Sequence, residues 1–200
     1  MTGSRERFQQ LFDIAVLQDG YFTARQARAT GYGTNSHAYH VRAGNWIREH
    51  RGIYRLASYP LAEHPDLIVW YLWSFDRQGR PQGVYSHATA LSLYELSDVN
   101  PARIHMTVPT GFRRRVEIPR VLVLRRGAIP ESDRREMWGV PVTTPLRTLI
   151  DVVDDGTLSE DLLRQGVRQA LARGLVARTA LEEGLRDWPG LARAMSEAVT

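Results

Sequence analysis

The chain has 200 residues, 43% of them hydrophobic and 9% aromatic, which supplies a folded core and excludes wholesale disorder. It has no cysteine and no lysine, which excludes disulfides, thiolate zinc sites, cysteine nucleophiles and catalytic lysines, and fits a reducing cytoplasm. The net charge of +4 is unevenly placed: residues 1–59 hold eight arginines against four acids, and residues 60–200 hold eighteen against eighteen.

A positive surplus confined to the N-terminal segment predicts a polyanionic partner for that segment. The opening Met-Thr-Gly-Ser-Arg-Glu-Arg has no apolar signal-peptide region, and the longest apolar run, Leu67 to Trp73, is far too short to span a bilayer. A cytoplasmic protein without a membrane partner is expected.

Phe8, Leu11, Phe12, Ala15 and Val16 recur at helical spacing and predict an amphipathic first helix that Gly20 stops. Tyr21-Phe22 predicts a short extended link. Thr23-Ala-Arg-Gln26 is a capping box and opens a second helix, ended by Gly31. A third helix follows the Gly31-Tyr-Gly33 turn, with Thr34 or Asn35 as its cap and Gly44 as its end. Only Ala38 and Val41 are expected to face inward there. Asn35, Ser36, His37, Tyr39, His40 and Arg42 are left outside, and these donors and acceptors suit base edges and phosphates in a major groove.

Trp46–His50 and Ile53–Leu56 predict a hairpin turning at Arg51-Gly52, where the glycine supplies the positive φ of a tight turn. Trp46, Ile53 and Tyr54 would anchor it. Arg48, His50, Arg51 and Arg55 would remain for solvent or phosphate. Three helices and a basic hairpin in this order make a winged helix-turn-helix. His37, His40 and His50 do not make a metal site without cysteine or further acids, and no metal or other cofactor is expected.

Tyr59 to Pro65 predicts a linker, and Asp66 opens a helix burying Leu67, Ile68, Tyr71, Leu72 and Phe75. Gln78–Gly83 is a turn. Ser86 is expected to cap the next helix; the adjacent Ser86-His87 lacks the surroundings of a nucleophile and its base. Two β-rich runs, Arg103–Val108 and Val121–Leu124, flank Arg113-Arg114-Arg115, which is a candidate for further DNA contacts or a solvated loop. Thr144-Pro145 starts a helix on which Arg147 and Asp151 pair at i, i+4. Leu162, Leu163, Val167, Ala170 and Leu171 form a helical stripe ended by Gly174. Thr179-Ala-Leu-Glu182 forms a second capping box, and Trp188-Pro-Gly breaks that helix before a last amphipathic turn.

The stretches Gly20–Ala27, Val41–Trp46 and His50–Arg55, followed in order by "YSHATALSLYELSDV", "IHMTVP" and "VTTPLRTLIDVV", resemble AbiEi-like antitoxins of the type IV, abortive-infection toxin–antitoxin systems. The resemblance covers roughly residues 8–155. It implies a winged-helix repressor domain that acts on its own promoter, and an α/β C-terminal antitoxin domain. It also implies a nucleotidyltransferase-like toxin that is opposed without any need for direct contact. Some relatives continue into a nuclease-like domain whose active site requires a lysine, which this chain does not have.

The expectation is therefore an α+β protein. A winged helix-turn-helix domain over residues 1–58 precedes a mixed α/β domain over residues 63–200 with a helical tail from 158. Its partner is an operator in duplex DNA, and its oligomeric state is open. Two other classes remain: a metal-dependent DNA-processing enzyme using Asp151, Asp154 and Asp155, and a protein-binding module with a vestigial winged helix.

Overall fold

The computed structural model describes residues 3–184. The chain divides into two compact units: Met1–Gln82 with Met137–Val140, and Gly83–Glu136 with Pro141–Thr200.

The first unit runs α1 (Ser4–Val16), β1 (Tyr21–Thr23), α2 (Ala24–Ala29), α3 (Thr34–Arg42), β2 (Trp46–His50), β3 (Ile53–Leu56) and α4 (Pro65–Trp73). The strands form an antiparallel sheet in the order β1-β3-β2. Its core is Leu11, Ala15, Phe22, Ala27, Tyr32, Trp46, Tyr54 and Leu56. The α1 stripe is narrower than its spacing suggests, because Phe8 and Val16 are exposed. Gly20 ends the turn after α1 at φ +86, and a Cβ there would lie 2.5 Å from Cγ of Tyr59, so the position is closed to any side chain.

The predicted capping box of α2 is present: the Thr23 hydroxyl accepts from the Gln26 backbone, and the Gln26 side chain accepts from the Thr23 N–H. At α3 the cap is Gly33, not Thr34 or Asn35. Thr34 is already in the first turn, and the Ser36 hydroxyl donates back to the Gly33 carbonyl at 2.7 Å. The hairpin turns at Arg51-Gly52 as expected, with Gly52 at φ +77.

The division of the chain comes later than the expected linker. Helix α4 groups with the first unit, and starts at Pro65, where a missing N–H is harmless. It buries Leu67, Ile68, Val69, Leu72 and Trp73, whereas Tyr71 and Phe75 are half-buried.

The second unit is built on a sheet of β4 (Val84–Tyr85), β5 (Ile104–Val108), β6 (Leu122–Arg126), β7 (Arg134–Met137) and β8 (Val140–Thr143), in the order β6-β5-β4-β8-β7. Strand β4 is antiparallel to β5 and parallel to β8, and β5 is parallel to β6, so the sheet is mixed. Helices α5 (His87–Leu93), α6 (Pro145–Asp155), α7 (Glu160–Ala172) and α8 (Arg178–Gly184) complete it. Thr144 caps α6 as its sequence predicts, and Gly156 ends it in the left-handed region. Val167 and Ala170 are the buried part of the α7 stripe, with Leu162, Leu163 and Leu171 half-buried. Thr179 lies inside α8, which begins at Arg178, and so is not its cap. The Trp188-Pro-Gly break lies outside the described residues.

Candidate nucleic-acid interface

Helix α3 has two unlike sides. His37 is buried and Val41 is half-buried against the core. Thr34, Asn35, Ala38, Tyr39 and Arg42 are exposed, and their spacing places them on one arc of the helix. Tyr39 is 60% exposed, unusual for so large a ring; it meets the His40 ring edge-on, with centroids 5.3 Å apart, rather than the first unit's core.

His37 is therefore not on the outward face where its sequence position predicts it. Its Nε2 lies 3.2 Å from the Tyr32 carbonyl oxygen. A carbonyl only accepts, so Nε2 carries the proton. The ring packs against Trp46 and Tyr54. Ala38 is displaced in the opposite sense, from expected core to surface.

His40 is half-buried. Its ring stacks on Trp46 with centroids 4.6 Å apart, and the Asn45 amide lies 3.3 Å from its Nδ1. Burial, with His37 and Arg7 nearby, lowers its pKa below the ordinary histidine value, so it is neutral near pH 7. Ser36, with its hydroxyl turned onto Gly33, is also only half-exposed.

The hairpin divides its arginines. Arg48 and Arg51 are exposed, Arg51 at the turn. Arg55 is not available as expected. It sits on β3, the central strand, where its Nε donates to Glu49 at 2.9 Å and its Nη1 to the Tyr59 carbonyl at 3.0 Å. Only 11% of its side chain is exposed. His50 likewise turns away from solvent: its ring meets Trp70 at 5.0 Å and its Nδ1 is buried. Ile47, beside Arg48, is also exposed, and no pattern in the sequence marks it.

In the second unit, Arg113, Arg114 and Arg115 are exposed between β5 and β6. Asp151, Asp154 and Asp155 do not gather into a metal site. Asp151 bonds Arg147 at 2.7 Å and Asp155 pairs with Arg125. Among the described residues no group of three or more His, Cys, Asp or Glu side chains is placed to hold a metal. Ser86 occupies the cap position of α5 but does not cap it. Its hydroxyl instead meets Thr107 Oγ1 and His87 Nδ1, each at 2.8 Å. Being fully buried, it is out of reach of a substrate.

Two family models match in the order that the two units follow. Residues 9–57 match a transcriptional regulator, AbiEi antitoxin model, and residues 83–187 match the AbiEi antitoxin C-terminal domain. The chain belongs to the AbiEi antitoxin family. Its antitoxin C-terminal domain spans more than half of the chain, and its regulator domain takes in α3 and the hairpin. In fold, the antitoxin is similar to the crystal structure of the RV2827C protein from Mycobacterium tuberculosis, with a TM-score of 0.59 and 14% identity over 96% of this chain and 75% of that one. No curated protein matches it. No helix among the described residues is long and apolar enough to cross a membrane.

Proposed function

We propose that the first unit binds an operator in the protein's own promoter and represses its operon, and that the protein counteracts a nucleotidyltransferase-like toxin in the cytoplasm without needing to bind it. The observation that carries this is the outward face of α3. Asn35, Tyr39 and Arg42 stand on it uncovered by the core of their own unit. Asn and Arg are the side chains that bond adenine and guanine edges in two places at once.

Arg48 and Arg51 would hold the backbone or an adjacent minor groove. His40 and Ser36, half-covered, would serve at the margin. Arg113, Arg114 and Arg115 are candidates for a further, sequence-independent contact. Family membership supports the regulatory and antitoxin roles.

Titrating the full-length protein against operator and scrambled duplexes tests the assignment. Arg51→Ala is expected to weaken binding to both alike. Tyr39→Ala and Arg42→Ala should change which duplex is preferred. Identical losses from the two kinds of variant would remove the groove assignment. Co-expression with the toxin, using a variant that no longer binds the operator, tests whether antagonism is separate from repression.

A further inference from the structure

The exposed face of α3 has a low point. Ala38 is exposed and lies between Asn35 and Arg42, at i, i+3 and i+7 of that face. The inward side is filled by His37 and Val41 instead. A long side chain at position 38 would hold the helix axis away from any surface on which the face docks. A methyl group lets it approach.

That difference matters in a major groove, which is about 12 Å wide and admits a helix about 10–12 Å across. Depth of entry is then set by the residue at the middle of the face. The groove floor offers one apolar group, the C5-methyl of thymine, and alanine is among the side chains that pack against it. Asn35 and Arg42 are separated by about 10 Å along the axis, at about 1.5 Å per residue. That is roughly three base-pair steps of about 3.4 Å.

We propose that Ala38 is a specificity-determining residue: its methyl group packs on the C5-methyl of a thymine within one or two base pairs of the bases that Asn35 and Arg42 bond. This rests on the reading of α3 as the base-reading helix, and adds to it a position, a group and a base. Alanine is also the best helix former. Helix propensity alone, however, would place it on any side of α3 and predicts no dependence on a methyl group of the DNA.

The test alters the DNA rather than the protein. A preferred duplex is selected from a random pool with the full-length protein. Each thymine in it is then replaced in turn by deoxyuridine, which removes only the C5-methyl. One position is expected to lose roughly three- to five-fold in affinity, the effect of exposing one buried methyl. In Ala38→Gly that loss should shrink to nearly nothing. Each variant is read as its ratio between thymine and uracil duplexes, so a general weakening from the glycine cancels.

Indifference at every thymine overturns the proposal, and so does a loss that persists in Ala38→Gly. A preferred duplex with indifferent thymines removes this inference alone. Failure to select any duplex removes the DNA reading with it.

Discussion

His37 and Arg42 belong to one short helix and to different sides of it. The imidazole of His37 is enclosed by Trp46 and Tyr54 and bonds the Tyr32 carbonyl. Replacing it with alanine leaves a cavity and an unpaired carbonyl, so His37→Ala should destabilise the first unit by about 2–4 kcal/mol. Arg42 is exposed and its side chain makes no hydrogen bond or ion pair among the described residues, so Arg42→Ala should change stability by no more than about 0.5 kcal/mol while altering duplex preference. Urea unfolding of both variants, beside duplex titration, separates these effects. A His37→Ala protein as stable as wild type but blind to sequence would return His37 to the outward face.

The hairpin as an element carries its own brake on charge. Glu49 holds Arg55 at 2.9 Å, and Arg55 also lies over the Tyr21 ring. Glu49→Gln removes a negative charge from an otherwise positive wing and loosens the guanidinium. It should raise affinity for all duplexes several-fold and steepen the log–log salt dependence by up to about one unit, without changing which sequence is preferred. The loss of the half-buried pair should lower stability by about 1 kcal/mol. An unchanged salt slope with unchanged affinity would show that Arg55 cannot reach phosphate even when released. Elements of this kind were legible in the sequence because their signals are local. Glycine positions, the Thr23–Gln26 box and Thr144-Pro145 fixed where elements start and stop. Facing was less legible. A nine-residue polar helix has too few apolar residues for its periodicity to choose a side. A histidine can go inside when a carbonyl and two rings meet it there, and those come from Tyr32, Trp46 and Tyr54, outside the helix. Arg55 and Ser86 depart from their sequence expectation for the same reason: Glu49 lies across a hairpin, and Thr107 lies on the distant strand β5.

Across the whole molecule, the charge surplus lies in the first unit and the most acid-sensitive histidine, His87, in the second. All of the net positive charge lies in residues 1–59, so salt should act chiefly on DNA affinity. Acid should act on the fold, chiefly through the second unit: His40 in the first unit is lowered in the same direction, and His87 in the second is shifted most. His87 is 9% exposed, with Ser86 Oγ at 2.8 Å and the His105 ring at 6.2 Å. Asp155 and Asp154 favour its charged form, and Arg125 and Arg147 oppose it. Burial outweighs all of these and pushes its pKa down to about 4. His105 is lowered in the same direction, first by burial and then by His87. A histidine whose folded pKa lies below its unfolded value takes up its proton more readily when unfolded. Its full contribution to stability is present above about pH 6.5, falls as pH drops toward 4, and changes no further below that. Allowing for solvent at the ring edge, His87 should account for on the order of 2 kcal/mol of stability lost over that range. Its backbone is at φ +54, a conformation that asparagine tolerates best among residues with a Cβ. His87→Asn therefore removes the titration while keeping the turn into α5. Chemical unfolding at pH 7.5, 6 and 4.5 is expected to give a clearly shallower fall for His87→Asn than for wild type. Parallel falls would mean that the proton taken up on acid unfolding goes elsewhere.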